Sequence, residues 1–338
     1  MTGRPKVALS SVVIKEEKME QVKAAISQLQ YQDLIFKDWG FEEVFEKGTA
    51  VSLLFYGIPG TGKTLMAQAI ADHLGYALKV VGTAEIESSE PGGAERTIKK
   101  VFAEANASIG GPTEFNKFVS SLPKNPIMPQ PLPQYEGPEL LCFDECDSLL
   151  YDRNAVGVIL GAQINTLLSE LERFKGVVIF TTNRLGKLDP ALERRITAKI
   201  EFDFPDKNQR ALIWRRMLPA KAPLAKDVDI EKLAEYPLAG GNIKNAVLNG
   251  AREAAYTKKT EISMACFVKA IEKEVESLNQ FLSAYEQSNK LNRLNKQELS
   301  NEDGMLKVAD RVANKEAQIS GEMVKLMKSW KGEKDGSR

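Results

Sequence analysis

The chain has 338 residues, of which 43% are hydrophobic and 27% charged, and its 46 basic and 46 acidic residues give a formal net charge of zero. This length suits about two domains plus extensions. The balanced charge excludes a global basic field that would recruit nucleic acid or an anionic membrane, although a local basic patch remains compatible with it. No apolar run approaches the ~18 residues of a transmembrane helix, so we expect neither a membrane span nor a signal peptide.

Hydrophobic periodicity divides the chain into four parts. Residues 1–48 form an N-terminal segment with a helix near 16–30. Residues 49–205 alternate short apolar runs with helical patterns, which predicts an α/β domain with a parallel sheet and helices on both faces. Residues 206–280 carry amphipathic helical patterns and no strand signal, so they predict a small all-α domain. Residues 281–338 predict a polar, helical C-terminal extension.

The predicted strands of the α/β domain are 51–56, 77–81, 140–143, 177–181 and 199–204. Two other stretches depart from the alternation of strands and helices. Between about 106 and 138 glycine and proline recur, which predicts an irregular, partly extended insertion. The C-terminal extension carries one apolar helical stripe, formed by Ile319, Met323, Leu326, Met327 and Trp330.

A phosphate-binding loop follows the first predicted strand. Residues 57–64 read Gly-Ile-Pro-Gly-Thr-Gly-Lys-Thr and match G-x-x-x-x-G-K-[ST] at every fixed position. The strand before the loop and the predicted helix 65–74 after it supply the expected context, which a glycine-rich turn with an accidental lysine would not have. Glycines let backbone N–H groups face the phosphates, Lys63 reaches the β- and γ-phosphates, and Thr64 binds Mg²⁺. The predicted nucleotide contacts are Gly57, Pro59, Gly60, Thr61, Gly62, Lys63, Thr64 and Leu65.

Two carboxylates follow the third apolar strand. Asp144 ends this strand, so it is expected near Thr64 as a second Mg²⁺ ligand, directly or through water. Glu145 is the candidate to polarise the water that attacks the γ-phosphate. An acidic pair after a strand is also typical of a solvated turn, but the phosphate loop favours catalysis.

The next strand ends in an amide and is followed by two arginines. Asn183 can hydrogen-bond the attacking water or the γ-phosphate as donor or acceptor, although asparagine also favours turns. Arg194 and Arg195 follow Leu188-Asp189-Pro190-Ala191. Adjacent arginines by themselves are typical of a solvated helix face.

The order and spacing of these motifs resemble the AAA family of ATPases within the wider AAA+ class, over roughly residues 7–280. In that family the strand that corresponds to 177–181 leads to a polar residue called a sensor, which Asn183 matches. It also supplies arginine fingers, which Arg194 and Arg195 match and which act on ATP bound by the neighbouring subunit. The resemblance implies hydrolysis of ATP with Mg²⁺ by a homo-oligomeric ring, usually a hexamer.

The same resemblance suggests roles for two further positions. Gly240-Gly241-Asn242-Ile243-Lys244 looks like the start of the lid helix that closes over the nucleotide, with Lys244 as a cationic sensor or simply a helix-start lysine. The run Ser11-Val12-Val13-Ile14 lies where the family lines its adenine pocket, which implies that Val13 contacts the base. Any apolar run would serve this second purpose.

The sequence departs from the family in its candidate pore loops. Many members grip a polypeptide with an aromatic residue where this chain has Glu90, followed by Pro91. A ring of acidic side chains does not intercalate between peptide side chains, so non-specific threading is not expected, whereas a cationic segment remains a candidate substrate. The second candidate pore loop, 151–161, contains apolar residues that offer an alternative grip or begin the next helix. The insertion at 106–138 has no counterpart in the family pattern.

Three protein functions are compatible with this interpretation of the motifs. The leading one is ATP-driven remodelling or disassembly of a protein complex in the cytoplasm. A nucleic-acid-associated loader or switch is disfavoured by the neutral charge. An ATP-gated scaffold without threading is the third. His73 is the single histidine, so the chain has no H-E-x-x-H zinc protease site, and Cys142, Cys146 and Cys266 are expected to be buried thiols.

Overall fold

The computed structural model describes residues 2–3, 5–31, 34–44, 50–86, 92–111, 117, 137–150, 158–183 and 188–276. Glu90, nearly all of the predicted insertion, residues 151–157 and the C-terminal extension lie outside these ranges. The chain divides into two compact units. One comprises Met1–Ile58 and Gly62–Asp203, and the other comprises Pro59–Thr61 and the chain from Phe204 onward.

A mixed sheet forms the centre of the first unit. Its strands are β1 (Thr2–Gly3), β2 (Val51–Gly57), β3 (Ala77–Gly82), β4 (Glu139–Asp144), β5 (Val177–Thr182) and β6 (Ala198–Phe202). The strand order is β1-β3-β4-β5-β2-β6, and every pair is parallel except β1 with β3. The five parallel strands confirm the predicted α/β fold. The short antiparallel strand β1 was not predicted, because two residues carry no hydrophobic period.

Helices cover both faces of this sheet. They are α1 (Glu16–Gln30), α2 (Lys63–Leu74), α3 (Thr83–Ile86), α4 (Gly93–Ile109), α5 (Asp147–Leu150), α6 (Val158–Arg173) and α7 (Pro190–Glu193). Successive strand side chains point to opposite faces. On β5, Val178 and Phe180 therefore pack with residues of α4 and α6, whereas Val177 and Ile179 pack with residues of α1 and α2.

Two predicted boundaries differ from the structure. Helix α4 continues to Ile109, so residues 106–109 of the stretch predicted to be irregular are helical. Its polar residue Ser108 is compatible with the helix because the hydroxyl donates to Ala105 O at 2.7 Å and accepts from Glu139 N–H at 3.0 Å. Strand β6 ends at Phe202 rather than at residue 204. Within 151–161, residues 158–161 belong to α6.

The second unit is helical in the part that the structure describes. Its helices are α8 (Lys207–Met217), α9 (Ile230–Leu233), α10 (Gly240–Tyr256) and α11 (264–276). Asp206 starts α8 with a capping box, in which its carboxylate accepts from Gln209 N–H and the Gln209 side chain accepts from Asp206 N–H. Trp214 packs edge-on against Phe267, with ring centroids 5.7 Å apart, in the core of this unit. This agrees with the predicted all-α region.

Gly57, at the end of β2, provides a test of the sheet's packing. Its φ is +139°, and a Cβ there would lie 2.3 Å from the carbonyl oxygen of Phe202 on β6. We expect Gly57→Ala to lower stability by about 3 kcal/mol, because neither backbone can move without disturbing the β2–β6 pairing. The melting temperature should fall by roughly 6–12 °C in a thermal scan.

Gly75→Ala is the matched control. Gly75 also has a positive φ, +69°, but a Cβ there would meet no atom within 4 Å. This variant should lose only the cost of the left-handed backbone, about 1 kcal/mol. Equal melting temperatures for the two variants would show that the close approach to Phe202 is not important.

Candidate nucleotide site

The phosphate loop connects β2 to α2, as its strand–loop–helix context predicts. Strand β2 ends at Gly57 and α2 begins at Lys63. Gly62, directly before the helix, has φ +104°. Because the first N–H groups of a helix have no acceptor within it, this turn directs backbone donors toward the loop. The arrangement suits an anion such as a phosphate group.

Lys63 is a buried cation inside this loop. Its residue is 7% exposed, and Nζ donates to Gly57 O at 2.8 Å and to Ile58 O at 3.0 Å. Burial lowers the pKa of the Lys63 ammonium to about 8, and the negative charges of Asp144, Glu145 and Asp147 partly oppose this shift. Both of these acceptors are neutral carbonyl oxygens, and a nucleotide phosphate would give the Lys63 ammonium an anionic partner.

Thr64 and Asp144 lie together, as predicted. The Thr64 hydroxyl donates to Asp144 Oδ1 at 2.9 Å. Because the hydroxyl has one hydrogen, its lone pairs remain available for a cation. Mg²⁺ bound with a nucleotide takes one or two protein oxygens and completes its shell with phosphates and water, so this pair fits that ion. Within the described residues no larger group of His, Cys, Asp and Glu could hold a metal.

Glu145 and Asn183 also meet at this edge of the sheet. Asn183 follows β5, and its Nδ2 donates to Glu145 Oε1 at a long 3.4 Å. Glu145 is exposed and has an unusual backbone φ of +52°. Its N–H donates to Thr181 Oγ1 at 3.0 Å, and its carbonyl accepts from Thr83 Oγ1 at 2.8 Å. The carboxylate is therefore accessible, while the backbone that carries it is fixed.

The two arginines differ in their surroundings. Arg194 is exposed, and the described part of the chain offers its side chain no hydrogen-bond or ion-pair partner. The guanidinium of Arg195 donates to Ala191 O at 2.8 Å and pairs with Glu172 on α6. Asp189 caps the N-terminus of helix α7, which directly precedes the two arginines, by accepting from Ala191 N–H at 2.8 Å. These neighbouring arginines cannot be distinguished from the sequence alone.

Two weaker predictions involve Val13 and Lys244. Val13 is half-buried, but the preceding Val12 is 5% exposed and would lie 3.9 Å from a Cβ at Gly62, so Val12 packs against the loop. Within the second unit, Gly241 N–H donates to Gly60 O at 2.8 Å. Lys244 lies in the first turns of α10 and is exposed. The geometry within either unit assigns no ligand to Val13 or Lys244.

Sequence reasoning missed the threonines around Glu145. Thr181 is 1% exposed and hydrogen-bonds both Glu145 and Asp144, and Thr83 begins α3 after β3. A hydroxyl residue within an otherwise apolar buried strand is the signal that points to Thr181. The three cysteines are buried and unpaired, as predicted, and burial raises the pKa of the Cys142 and Cys146 thiols.

Comparison with known proteins also supports a nucleotide site in this chain. Residues 53–204 match the ATPase family associated with various cellular activities (AAA). The chain is 29% identical to Protein SAV of Sulfolobus acidocaldarius over 83% of this chain and 33% of that protein. It is 30% identical to the Cell division cycle protein 48 homolog of Archaeoglobus fulgidus over 67% of this chain and 30% of that protein. It is also 28% identical to the ATP-dependent zinc metalloprotease FtsH of Helicobacter felis over 81% of this chain and 40% of that protein.

The similarity thus covers only part of each relative. The chain spans 33%, 30% and 40% of the length of these three proteins. None of the helices described here is long and apolar enough to cross a membrane. One family accounts for all of these findings, namely the phosphate loop, the Thr64–Asp144 pair, the parallel sheet and the match over residues 53–204. Residues 53–204 therefore form a domain of the AAA family of ATPases.

Proposed function

We propose that this chain hydrolyses ATP to ADP and phosphate and uses the cycle to remodel or disassemble a protein partner. The observation that carries the proposal is the constellation at one edge of the sheet. There the buried ammonium of Lys63, the Thr64–Asp144 pair and the Glu145–Asn183 pair come together. These groups are of the kinds that bind a triphosphate and activate a water molecule beside it.

Each residue has a distinct task in this reaction. Lys63 and the backbone N–H groups of the loop bind the β- and γ-phosphates. Thr64 and Asp144 would hold Mg²⁺, which neutralises phosphate charge when bound. Glu145 accepts the proton of the attacking water as the water oxygen bonds to the γ-phosphorus and the bond to the β–γ bridging oxygen breaks. Asn183 orients the carboxylate or the water through its amide.

We further propose that the active form is a homo-oligomeric ring, most simply a hexamer. Arg194 supports this because it is exposed and has no partner among the described residues. In a ring it would act as an arginine finger on ATP bound by the next subunit, with Arg195 beside it. Buried, unpaired cysteines support a reducing cytoplasmic location.

The names of the relatives favour a protein as the partner. They include a 26S proteasome regulatory subunit 6B homolog of Dictyostelium discoideum, 30% identical over 57% of this chain and 44% of that protein. A net charge of zero gives no general attraction to nucleic acid. With Glu90 at the position of the family's aromatic grip, we infer that the partner is selected by charge or remodelled without non-specific threading.

Measuring ATPase rates tests these alternatives. The wild-type chain would be assayed alone and with candidate proteins, single-stranded DNA and RNA. Stimulation by a protein alone supports remodelling, and selective stimulation by nucleic acid would favour a loader or switch. ATP-dependent binding of a partner that is released unchanged would indicate a scaffold. A purified chain that neither binds nor hydrolyses ATP contradicts the whole proposal.

Lys63→Ala should abolish tight ATP binding. The substitution removes the buried cation from the loop, and the neighbouring backbone donors cannot replace its charge. We expect the dissociation constant for a fluorescent ATP analogue to rise at least about 100-fold, since a charge-assisted contact in a buried site is lost. Lys99→Ala, at an exposed lysine on α4, is the control and should bind normally. Unchanged affinity in Lys63→Ala would refute the assignment of the loop.

A further inference from the structure

The hydroxyl group of Thr181 joins the two acidic residues of the site. Thr181 lies near the carboxyl end of β5 and is 1% exposed. Its Oγ1 accepts a hydrogen bond from Glu145 N–H at 3.0 Å. Because a hydroxyl carries a single hydrogen, that hydrogen is left for Asp144 Oδ1, which lies 2.5 Å away. One buried hydroxyl thus orients a backbone N–H and a carboxylate at once.

The backbone at Glu145 needs such support. Its φ of +52° is left-handed, a conformation that residues with a side chain adopt only when their surroundings impose it. Thr181 holds the turn twice, through its hydroxyl and through its carbonyl oxygen, which accepts from Cys146 N–H at 3.1 Å. Thr83 holds the opposite side, since its hydroxyl donates to Glu145 O at 2.8 Å. The direction of the Glu145 side chain depends on this turn.

We propose that Thr181 is a positioning residue for ATP hydrolysis, which fixes the turn at Glu145 and the carboxylate of Asp144 in one arrangement. This inference rests on the proposed ATPase function. Thr181 acts through its two neighbours rather than on the nucleotide. Asp144 keeps its second donor, Thr64, when Thr181 is changed, and Lys63 is not involved. The role therefore predicts an effect on turnover that is separate from ATP binding.

Thr181→Val isolates the hydroxyl. Valine keeps the branched shape that suits a buried strand but neither accepts from Glu145 N–H nor donates to Asp144. A backbone N–H that loses its acceptor favours a rotated peptide, which would turn the Glu145 carboxylate away from the attacking water. We expect kcat to fall about 10- to 100-fold, as for other residues that orient catalytic groups. The dissociation constant for ATP with Mg²⁺ should stay within about threefold.

Two further variants separate positioning from general damage to the strand. Thr181→Ser keeps the hydroxyl and should restore kcat to within about threefold of wild type. Thr182→Val makes the same substitution one residue along β5, where the hydroxyl donates to Asp147 instead. It should lower the melting temperature about as much as Thr181→Val while keeping kcat within about threefold, since Asp147 has no task in the proposed reaction. Amide hydrogen exchange at Glu145 should become faster only in Thr181→Val.

Each result has a definite meaning. An active wild type with an equally active Thr181→Val would overturn the positioning role. The role is also overturned if serine fails to restore turnover, or if Thr182→Val loses as much kcat as Thr181→Val. A wild type without any ATPase activity would instead remove the proposed function, and amide exchange at Glu145 alone would then decide whether Thr181 holds the turn.

Discussion

Glu145→Gln should bind ATP normally and turn over at least about 100-fold more slowly, the loss expected when a general base is removed. Glutamine keeps the size of the side chain and an oxygen that can accept from Asn183 Nδ2, but it cannot take the proton of the attacking water. Lys63, Thr64 and Asp144 are unchanged, so affinity should stay within about threefold. Steady-state phosphate release and equilibrium binding of an ATP analogue measure the two quantities separately.

Glu85→Gln provides the control for this prediction. Glu85 is exposed on α3 and takes no part in the proposed site, so the same change of charge there should leave kcat within about twofold. Glu145→Gln should also accumulate an ATP-loaded oligomer, because binding persists while turnover is blocked. If its kcat equals that of wild type, Glu145 does not activate water and another base must be sought.

The phosphate loop and the parallel sheet could be predicted because their signals are local. Residues 57–64 contain the whole loop pattern, and each parallel strand is a short apolar run. The helix predicted at 16–30 forms at Glu16–Gln30 for the same reason. The meeting of Thr64 with Asp144 followed from topology, since parallel strands bring their carboxyl ends to one edge of the sheet.

The features that escaped prediction depend on contacts between distant parts of the chain. In the register of β4 with β5, Phe143 lies opposite Phe180, which brings Thr181 beside Asp144. A register is not visible in either strand alone, so the hydroxyl of Thr181 marks the residue as unusual in a buried strand but does not show which groups it contacts. Likewise Arg195 differs from Arg194 in its pairing with Glu172, which lies 23 residues away in the sequence. Contacts of this kind, between residues far apart in the sequence, can be recognised only in the folded structure.

This difference between the arginines leads to the prediction with the largest expected effect. Arg194→Ala should reduce the ATPase rate of the assembled ring on the order of 10³-fold, because an arginine finger stabilises charge on the γ-phosphate in the transition state. Arg195 is already held by Ala191 O and Glu172, so we expect Arg195→Ala to cost less turnover. Arg216→Ala, at an exposed arginine of α8, should behave as wild type.

Mixing two inactive variants tests whether Arg194 acts between subunits. Arg194→Ala keeps an intact phosphate loop, and Lys63→Ala keeps an intact arginine. In a mixed ring, a site on an Arg194→Ala subunit receives Arg194 from a Lys63→Ala neighbour, so part of the ATPase activity should return. Random mixing at equal amounts places about one subunit in four in this arrangement, which bounds the recovery below wild type. Verified mixed rings without recovery would show that the sites are not shared, and Arg194 would then be a solvated surface residue.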